Sequence, residues 1–277
     1  MNKTILKNIG IYLGILLLFI VAAYSFAPQV LDGKIVNQSD IASWKGMANE
    51  AVTHNAAHPD DPTAWTNSMF GGMPTTATID DFKGDWTDAI YDFLLTGRRP
   101  ASYLLITLIG GFLLMLSLGT SKLIAVAGAI AIAFCSYNMQ IIQVGHNTKM
   151  QAIAYFPWVL AGVIWTYRMA FKSFTSAQED KGNWKEWLPK TVLGATLFAF
   201  ALSFQIKANH PQITYYLAIT DFAYAIGVFV YLCKNAERRV QLKRFFIASS
   251  LLLVLGIVGM ATNANKLIPT MEYSNSL

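Results

Sequence analysis

Residues 5–26 read ILKNIGIYLGILLLFIVAAYSF, and Lys7 is the only charged residue among them. A helix needs about 20 mostly apolar residues to cross the hydrocarbon layer of a membrane, so this run is long enough to span it. A secretory signal has a shorter apolar core, and cleavage after Ala27 would leave Pro28 directly behind the cut. We therefore interpret the run as a membrane anchor that the protein retains.

Six further apolar runs follow, and they predict an all-α integral membrane protein with one polytopic domain over residues 1–277. Only 13% of the residues are charged and 54% are hydrophobic, whereas soluble domains average about 25% charged residues. This composition excludes a soluble enzyme. The net charge of +5 does not indicate nucleic acid, because the basic residues flank the apolar runs. The seven predicted spans are Ile5–Phe26, Ala101–Leu118, Leu123–Ile142, Gln151–Met169, Thr191–Ile206, Ile213–Leu232 and Phe245–Thr262.

The positions of the basic residues predict which side of the membrane each loop faces. If the N-terminus is cytoplasmic, 13 of the 21 Lys and Arg residues lie on the cytoplasmic side. The short loops on the opposite side then hold only Lys149, Lys207 and Lys266. Short loops rich in Lys and Arg stay in the cytoplasm. We therefore expect an N-terminus inside and a C-terminus outside the cytoplasmic membrane.

The segment 27–100 is the only extracytoplasmic part that is long enough to fold outside the bilayer. Ser39 or Asp40 is expected to cap a surface helix in this segment. Residues 58–62 interrupt the chain, and residues 65–74 are predicted to form an ordered loop. The apolar side chains on one face of the predicted helix are Ile41, Trp44, Ala48 and Val52.

A second amphipathic helix is expected further along this segment, and it is suited to lying along the membrane surface. Trp86, Ile90, Phe93 and Leu94 form its apolar side. Its polar side carries three aspartates, which we interpret as a solvated face in preference to a set of metal ligands. These are Asp85, Asp88 and Asp92.

Basic residues at extracytoplasmic helix starts form the first candidate site. The second, fourth and sixth spans run inward, so their N-termini present unpaired N–H groups and the positive end of the helix dipole to the outside. Cationic side chains at such a place suit a phosphate, although they can also simply reach the lipid headgroups. Reaching headgroups explains Arg98 and Arg99 well, but it explains two short polar loops poorly. The candidate residues in those loops are His146, Lys149, Lys207 and His210.

Two isolated aspartates are further candidates. Asp40 follows the first span closely on the outer side, where it is either the cap of the next helix or a general base for a hydroxyl group. Asp221 lies within the sixth span, where an ionised carboxylate is costly. It is either a relay for protons or ions or the partner of a polar neighbour, and we favour the partner.

Four strings occur in the order Gln38-Ser39-Asp40-Ile41, WTNSMFGGMP over residues 65–74, Gly145-His146-Asn147-Thr148-Lys149 and His210-Pro211-Gln212. They resemble the YfhO-like family of bacterial membrane proteins, in the form found in Bacteroidetes-type bacteria. That family is similar to the GT-C superfamily of membrane glycosyltransferases, which take a sugar from a polyprenyl-phosphate carrier. Its members are usually longer and have more spans, so we expect this chain to be an N-terminal fragment.

The resemblance implies a GT-C-like bundle in the bacterial cytoplasmic membrane, with Asp40 as the catalytic carboxylate. The carrier phosphate would lie near the four basic candidates, and a hexosyl group would pass to an envelope glycan or lipid. The sequence indicates no cofactor, although it leaves room for a divalent metal ion. The alternatives are a transporter or lipid flippase, which typically shows internal repeats that this sequence lacks, and a non-catalytic membrane subunit.

Overall fold

The fold is built almost entirely from α-helices. The computed structural model describes residues 3–34, 36–75, 87, 89–90, 93, 99–171 and 184–276. Within them, a two-stranded antiparallel hairpin, β1 (Trp65–Thr66) and β2 (Met73–Pro74), and 3-10 turns at Pro28–Asp32 and Ala236–Gln241 accompany the helices. The α-helices are α1 (Lys3–Phe26), α2 (Ser39–Ala57), α3 (Ala101–Ser117), α4 (Lys122–Ala133), α5 (Ser136–Val144), α6 (Asn147–Phe171), α7 (Trp184–Lys207), α8 (Pro211–Lys234), α9 (Leu242–Ala261) and α10 (Ala264–Ser276).

Five helical stretches in the described part of the chain are long and apolar enough to cross a membrane. Large apolar side chains on their surfaces, such as Leu17 and Leu253, are exposed in the bundle, as expected of helices that face lipid. The predicted all-α, multi-pass membrane class is therefore confirmed, while the number of seven spans stays a prediction. The five stretches are Thr4–Phe26, Lys122–Val144, Trp184–Lys207, Pro211–Lys234 and Ala236–Ala261.

The other two predicted spans, Ala101–Leu118 and Gln151–Met169, fall on α3 and α6 in the middle of the bundle. These helices contain 17 and 25 residues. α6 packs along α3 on one side and along α7 on the other. Much of its surface therefore touches protein, and a helix shielded from lipid in this way tolerates more polar residues than an outer helix does.

The third predicted span, Leu123–Ile142, is not one continuous helix. It consists of α4 and α5, and the helix is interrupted at Phe134 and Cys135. The side-chain amide of Asn138 donates to the carbonyl oxygens of Ile132 at 2.9 Å and Ala133 at 3.2 Å. These bonds satisfy carbonyl groups at the end of α4 that would otherwise have no partner, and so they stabilise the break.

The interior contains two main apolar clusters, and α6 belongs to both. The first cluster joins α1, α3, α4 and α5 to the N-terminal half of α6, where Met150 and Tyr155 are buried. The second joins α7, α8 and α9 to its C-terminal half, where Val163 and Tyr167 are buried. α6 therefore connects the two halves of the bundle, together with α7, whose Phe204 belongs to the first cluster.

Small residues allow α6 and α7 to approach each other closely. A Cβ atom placed on Gly162 of α6 would lie 2.7 Å from the Cα of Phe198, and one on Gly194 of α7 would lie 3.0 Å from the amide nitrogen of Thr166. Small residues at helix contacts are typical of membrane bundles, in which packing and not the exclusion of water holds helices together. The close contact fixes how the two halves of the bundle sit against each other.

One end of the bundle, which we call the basic end, gathers basic side chains against carbonyl oxygens. Arg168 donates to the carbonyl of Ser117 at the end of α3, and Arg244 donates to the carbonyl of Ala170 near the end of α6 at 3.2 Å. A cation at the C-terminal end of a helix is stabilised by the helix dipole. These basic residues are among those that the sequence assigns to the cytoplasmic side.

Candidate functional site

Asp40 and His146 meet at the opposite end of the bundle, which we call the Asp40 end. Asp40 lies in the first turn of α2, and His146 directly precedes α6. The Nδ1 atom of His146 is 2.8 Å from Oδ2 of Asp40. The side chains are 46% and 47% exposed, respectively, so the pair is accessible to a ligand while the imidazole fixes the carboxylate.

Gln38 anchors the start of α2 to the corner between α5 and α6. Its side-chain amide donates to the carbonyl oxygen of Ile142, and its Oε1 accepts a bond of 3.3 Å from the side chain of Asn147. Gln38 is buried, so water does not compete for these bonds. They set the position of Asp40, two residues further on, relative to His146.

Gly145 makes the corner compatible with this contact. It ends α5 in the left-handed conformation, with a φ angle of +100°, which glycine adopts at little cost. A Cβ atom at this position would lie only 2.8 Å from the Cβ of Gln38. Only glycine therefore permits both the turn and the close approach of the chain around Gln38.

The expectation that Ser39 or Asp40 caps α2 is wrong. Gln38 occupies the cap position, and its side chain makes no capping bond, because its amide is already bonded to Ile142 and Asn147. The Asp40 carboxylate is instead bonded to His146, which lies 106 residues further along the chain. Of the two roles considered for Asp40, the cap is thus excluded by the geometry.

His210 lies close enough to His146 of the pair, and to Lys149, for their charges to interact. Lys149 is in the first turn of α6, and its Nζ atom is 5.3 Å from the ring centre of Tyr137. Burial lowers the pKa of His210 below its usual value, and the positive charges of Lys149 and His146 lower it further. The structure thus brings together three of the four basic candidates around one end of the bundle.

Lys207, the fourth candidate, lies inside the protein. Its side chain is buried, and its Nζ atom donates to Oγ1 of Thr87 at 2.9 Å. The ammonium group of Lys266 approaches the carbonyl oxygen of Lys207 at 3.5 Å. A second buried lysine, from the start of α10, therefore adds positive charge beside Lys207.

The loop predicted at residues 65–74 forms the β1–β2 hairpin, and a carboxylate of α2 fixes it. Oε2 of Glu50 accepts bonds from Oγ1 of Thr66, the amide nitrogens of Asn67 and Ser68, and Oγ of Ser68. The bonds from Ser68 and Thr66 lower the pKa of Glu50. The hairpin is thereby attached to the same helix that carries Asp40.

Other sequence candidates are placed differently or fall outside the described residues. The Arg99 guanidinium lies 5.9 Å above the ring of Tyr103, while Arg98 and the three aspartates at 85, 88 and 92 fall outside the described residues. Elsewhere, no three His, Cys, Asp or Glu side chains of the described ranges lie close enough to hold a metal ion. Oδ1 of Asp221 has no hydrogen-bond partner among the described residues, and the expected pairing of Asp221 with a polar neighbour stays a prediction.

Gln38 and Asn147 are residues of the site that the sequence interpretation does not single out. Both occur within the strings that carry the family resemblance. Gln38 lies two residues before Asp40, and Asn147 directly follows His146. An uncharged amide gives no electrostatic signal, and for that reason only its place in those strings could have indicated a role.

Comparisons with protein-family models, with curated proteins and with solved structures gave no match to this chain. Its function must therefore be inferred from the site. A carboxylate held by an imidazole can accept a proton, and neighbouring cations can hold an anion at the same place. The Asp40 end combines both properties.

Proposed function

We propose that the protein is a GT-C-like glycosyltransferase, which moves a sugar from a polyprenyl-phosphate carrier to an envelope glycan or lipid. The observation that carries the proposal is the contact of 2.8 Å between Asp40 and His146 at an accessible end of the bundle. His210 lies within electrostatic range of His146 and of Lys149. A proton acceptor and an anion-binding group therefore stand side by side, as transfer from a phosphate leaving group requires.

In the proposed reaction, Asp40 acts as the general base. The acceptor hydroxyl loses its proton to the Asp40 carboxylate, and its oxygen forms a bond to C1 of the sugar. The bond between C1 and the phosphate oxygen breaks, and its electron pair leaves with the carrier phosphate. The transition state has oxocarbenium character, and positive charge near the phosphate stabilises the departing anion.

His146 has a positioning role in this scheme. Its Nδ1 atom is hydrogen-bonded to Oδ2 of Asp40. Oδ1 is then left to accept the proton of the acceptor hydroxyl. A carboxylate whose orientation is fixed before the substrate binds loses less entropy in the reaction. The bonds of Gln38 to the corner between α5 and α6 support the same geometry.

The proposal also includes an orientation in the bacterial cytoplasmic membrane. Seven spans with the N-terminus in the cytoplasm would put the Asp40 end on the extracytoplasmic side. The excess of Lys and Arg in the other set of loops supports this orientation. The acceptor would then be part of the cell envelope.

The test is sugar transfer from a polyprenyl-phosphate donor in membranes that contain equal amounts of each variant. Asp40→Asn keeps the size of the side chain and its bond to His146 but removes the base, so transfer should fall about 10²–10⁴-fold. Asp61→Asn is the matched control, because Asp61 is an exposed aspartate of the same segment. It should retain normal transfer. Near-normal transfer by Asp40→Asn would reduce Asp40 to an anchor for α2.

A further inference from the structure

A cavity of about 510 Å³ separates α8 from the helices α6, α7 and α9. Sites for small molecules typically measure roughly 300–1,000 Å³, so a ligand of ordinary size fits. Most of its wall is apolar, with Phe198, Leu202 and Leu252 among the lining residues. The cavity lies beside the Asp40 end, because His210 lines it as well.

The cavity opens toward the lipid. Three residues that line it, Phe222, Leu253 and Ile257, are 68%, 65% and 59% exposed on the outer surfaces of α8 and α9. Both helices belong to stretches that are apolar enough to cross a membrane. A ligand would therefore enter from the bilayer and would itself be largely apolar.

One end of the cavity is polar, and Lys266 supplies a cationic group there. Asn209, His210 and Lys266 line this end, and Lys266 is buried there. The Nε2 atom of His210 is buried and has no hydrogen-bond partner among the residues that the structure describes. Buried polar atoms nearly always have a partner. This end therefore suits an anionic head group that accepts hydrogen bonds.

A single carboxyl group interrupts the apolar wall farther along. Asp221 lines the cavity, and its Oδ1 atom is also buried without a partner in the described part of the chain. It lies ten residues after Pro211, which corresponds to roughly 15 Å along α8, or about half the thickness of the hydrocarbon layer. A carboxyl group keeps an accepting oxygen in either protonation state. Asp221 can thus accept a hydrogen bond from a group in the middle of a ligand.

We propose that this cavity binds a single-chain membrane amphiphile with an anionic head group at His210 and Lys266. Its chain would lie along α8 and would carry a hydrogen-bond donor, such as a hydroxyl group, opposite Asp221. This proposal goes beyond sugar transfer and does not depend on it.

Binding of two fatty acids to the purified chain in a non-ionic detergent tests the proposal. The probes are stearate and a hydroxystearate with its hydroxyl group near the middle of the chain. The wild-type chain should bind hydroxystearate roughly two- to tenfold more tightly, which is the usual effect of one net hydrogen bond. Asp221→Leu should abolish this preference, and Asp221→Asn, which keeps an accepting oxygen, should retain most of it.

A second pair of variants tests the location. Ala218→Phe places a large ring on α8 at a residue that lines the cavity, and it should weaken binding of both acids. Ala223→Phe places the same ring on an exposed position of α8 outside the lining, and it should bind both acids normally. Thermal unfolding in detergent checks that each variant is folded.

Equal binding of the two acids by the wild-type chain would overturn the proposal, and this measurement needs no variant. A preference that survives in Asp221→Leu would also overturn it, as would normal binding by folded Ala218→Phe. Failure of the folded wild-type chain to bind either acid would overturn it as well. Because sugar transfer is not measured, these outcomes are separate from the test of Asp40.

Discussion

The Asp40 end and the cavity around Asp221 show how one residue type behaves in two surroundings. Asp40 is half exposed, and a histidine holds its carboxylate at a fixed distance. Asp221 faces an apolar cavity, and its Oδ1 atom has no partner among the described residues. The basic residue His146 contacts Asp40, whereas apolar side chains dominate the wall around Asp221.

The difference between these two carboxyl groups shows that the surroundings of an aspartate decide which chemical role it can have. A carboxylate that water can reach, with its orientation fixed, is suited to exchange a proton with a substrate. A carboxyl group at mid-depth of a membrane helix is costly to leave without a partner, so it is suited to recognise a polar group on an apolar ligand. His210 connects the two regions, because it interacts with the charges of His146 and Lys149 and also lines the cavity.

The largest expected effect concerns the side of the membrane that each end faces. Cys135 and Cys233 are first replaced by Ser, and a single cysteine is then introduced as Thr53→Cys in α2 or as Glu186→Cys in α7, both at exposed positions. An impermeant thiol reagent should label Thr53→Cys in intact cells and Glu186→Cys only after the membrane is opened. The reason is the excess of Lys and Arg in the loops on the side of Glu186. Labelling of Glu186→Cys in intact cells would contradict the proposed orientation.

The next effect separates the Asp40 end from the cavity. Lys149→Ala removes a cation near the pair, and a charge-assisted contact to phosphate contributes roughly 1.5–3 kcal/mol, so binding of a polyprenyl phosphate should weaken more than tenfold. Stearate binding should change less, because Lys149 does not line the cavity. Lys190→Ala, an exposed position of α7, is the control and should leave both affinities unchanged. An unaltered affinity of Lys149→Ala for polyprenyl phosphate would exclude a phosphate contact.

The smallest effect is a pH dependence of stability that arises from His210. Burial first, and then the charges of Lys149 and His146, lower the pKa of His210 below its usual value of 6.5. As the pH falls below about 6.5, the unfolded chain binds a proton that the folded chain takes up only at lower pH, so the free energy of unfolding decreases. Melting temperatures in detergent should therefore drop between about pH 7.5 and 5.5.

Replacement of His210 distinguishes this contribution from those of other groups. His210→Gln should show a smaller decrease than the wild-type chain over the same pH range, because the titrating group is gone. Lys149→Ala should also reduce the decrease, since it removes one of the charges that act on His210. A decrease of the same size in the wild-type chain and in His210→Gln would show that other groups cause it.

The general fold is predictable because membrane helices leave a strong signal in the sequence. The run Ile213–Leu232 lies entirely within α8 (Pro211–Lys234), and the predicted first span lies within α1. The break between α4 and α5 is different, because it depends on Asn138 bonding to carbonyl groups at the end of α4. From the sequence alone, a single polar residue in an apolar run does not indicate whether its side chain will bond to the carbonyl groups of the preceding helix.

The site is predictable in its general position and not in its contacts. Alternation of the spans predicts that Asp40, His146 and His210 share one side of the membrane. The contact between Asp40 and His146 additionally depends on the amide of Gln38 and on the left-handed turn at Gly145. These are details of packing between segments far apart in the chain, and hydrophobic periodicity carries no information about them.

The distance along the chain between Asp40 and His146 has a consequence for biosynthesis. The three bonds that fix the start of α2 reach partners 104, 106 and 109 residues away. A ribosome makes the chain from its N-terminus, so α1 and α2 are complete long before the corner between α5 and α6 leaves the ribosome. The Asp40 carboxylate therefore has no histidine partner until His146 has been synthesised, and the site forms only when the corner between α5 and α6 reaches the start of α2.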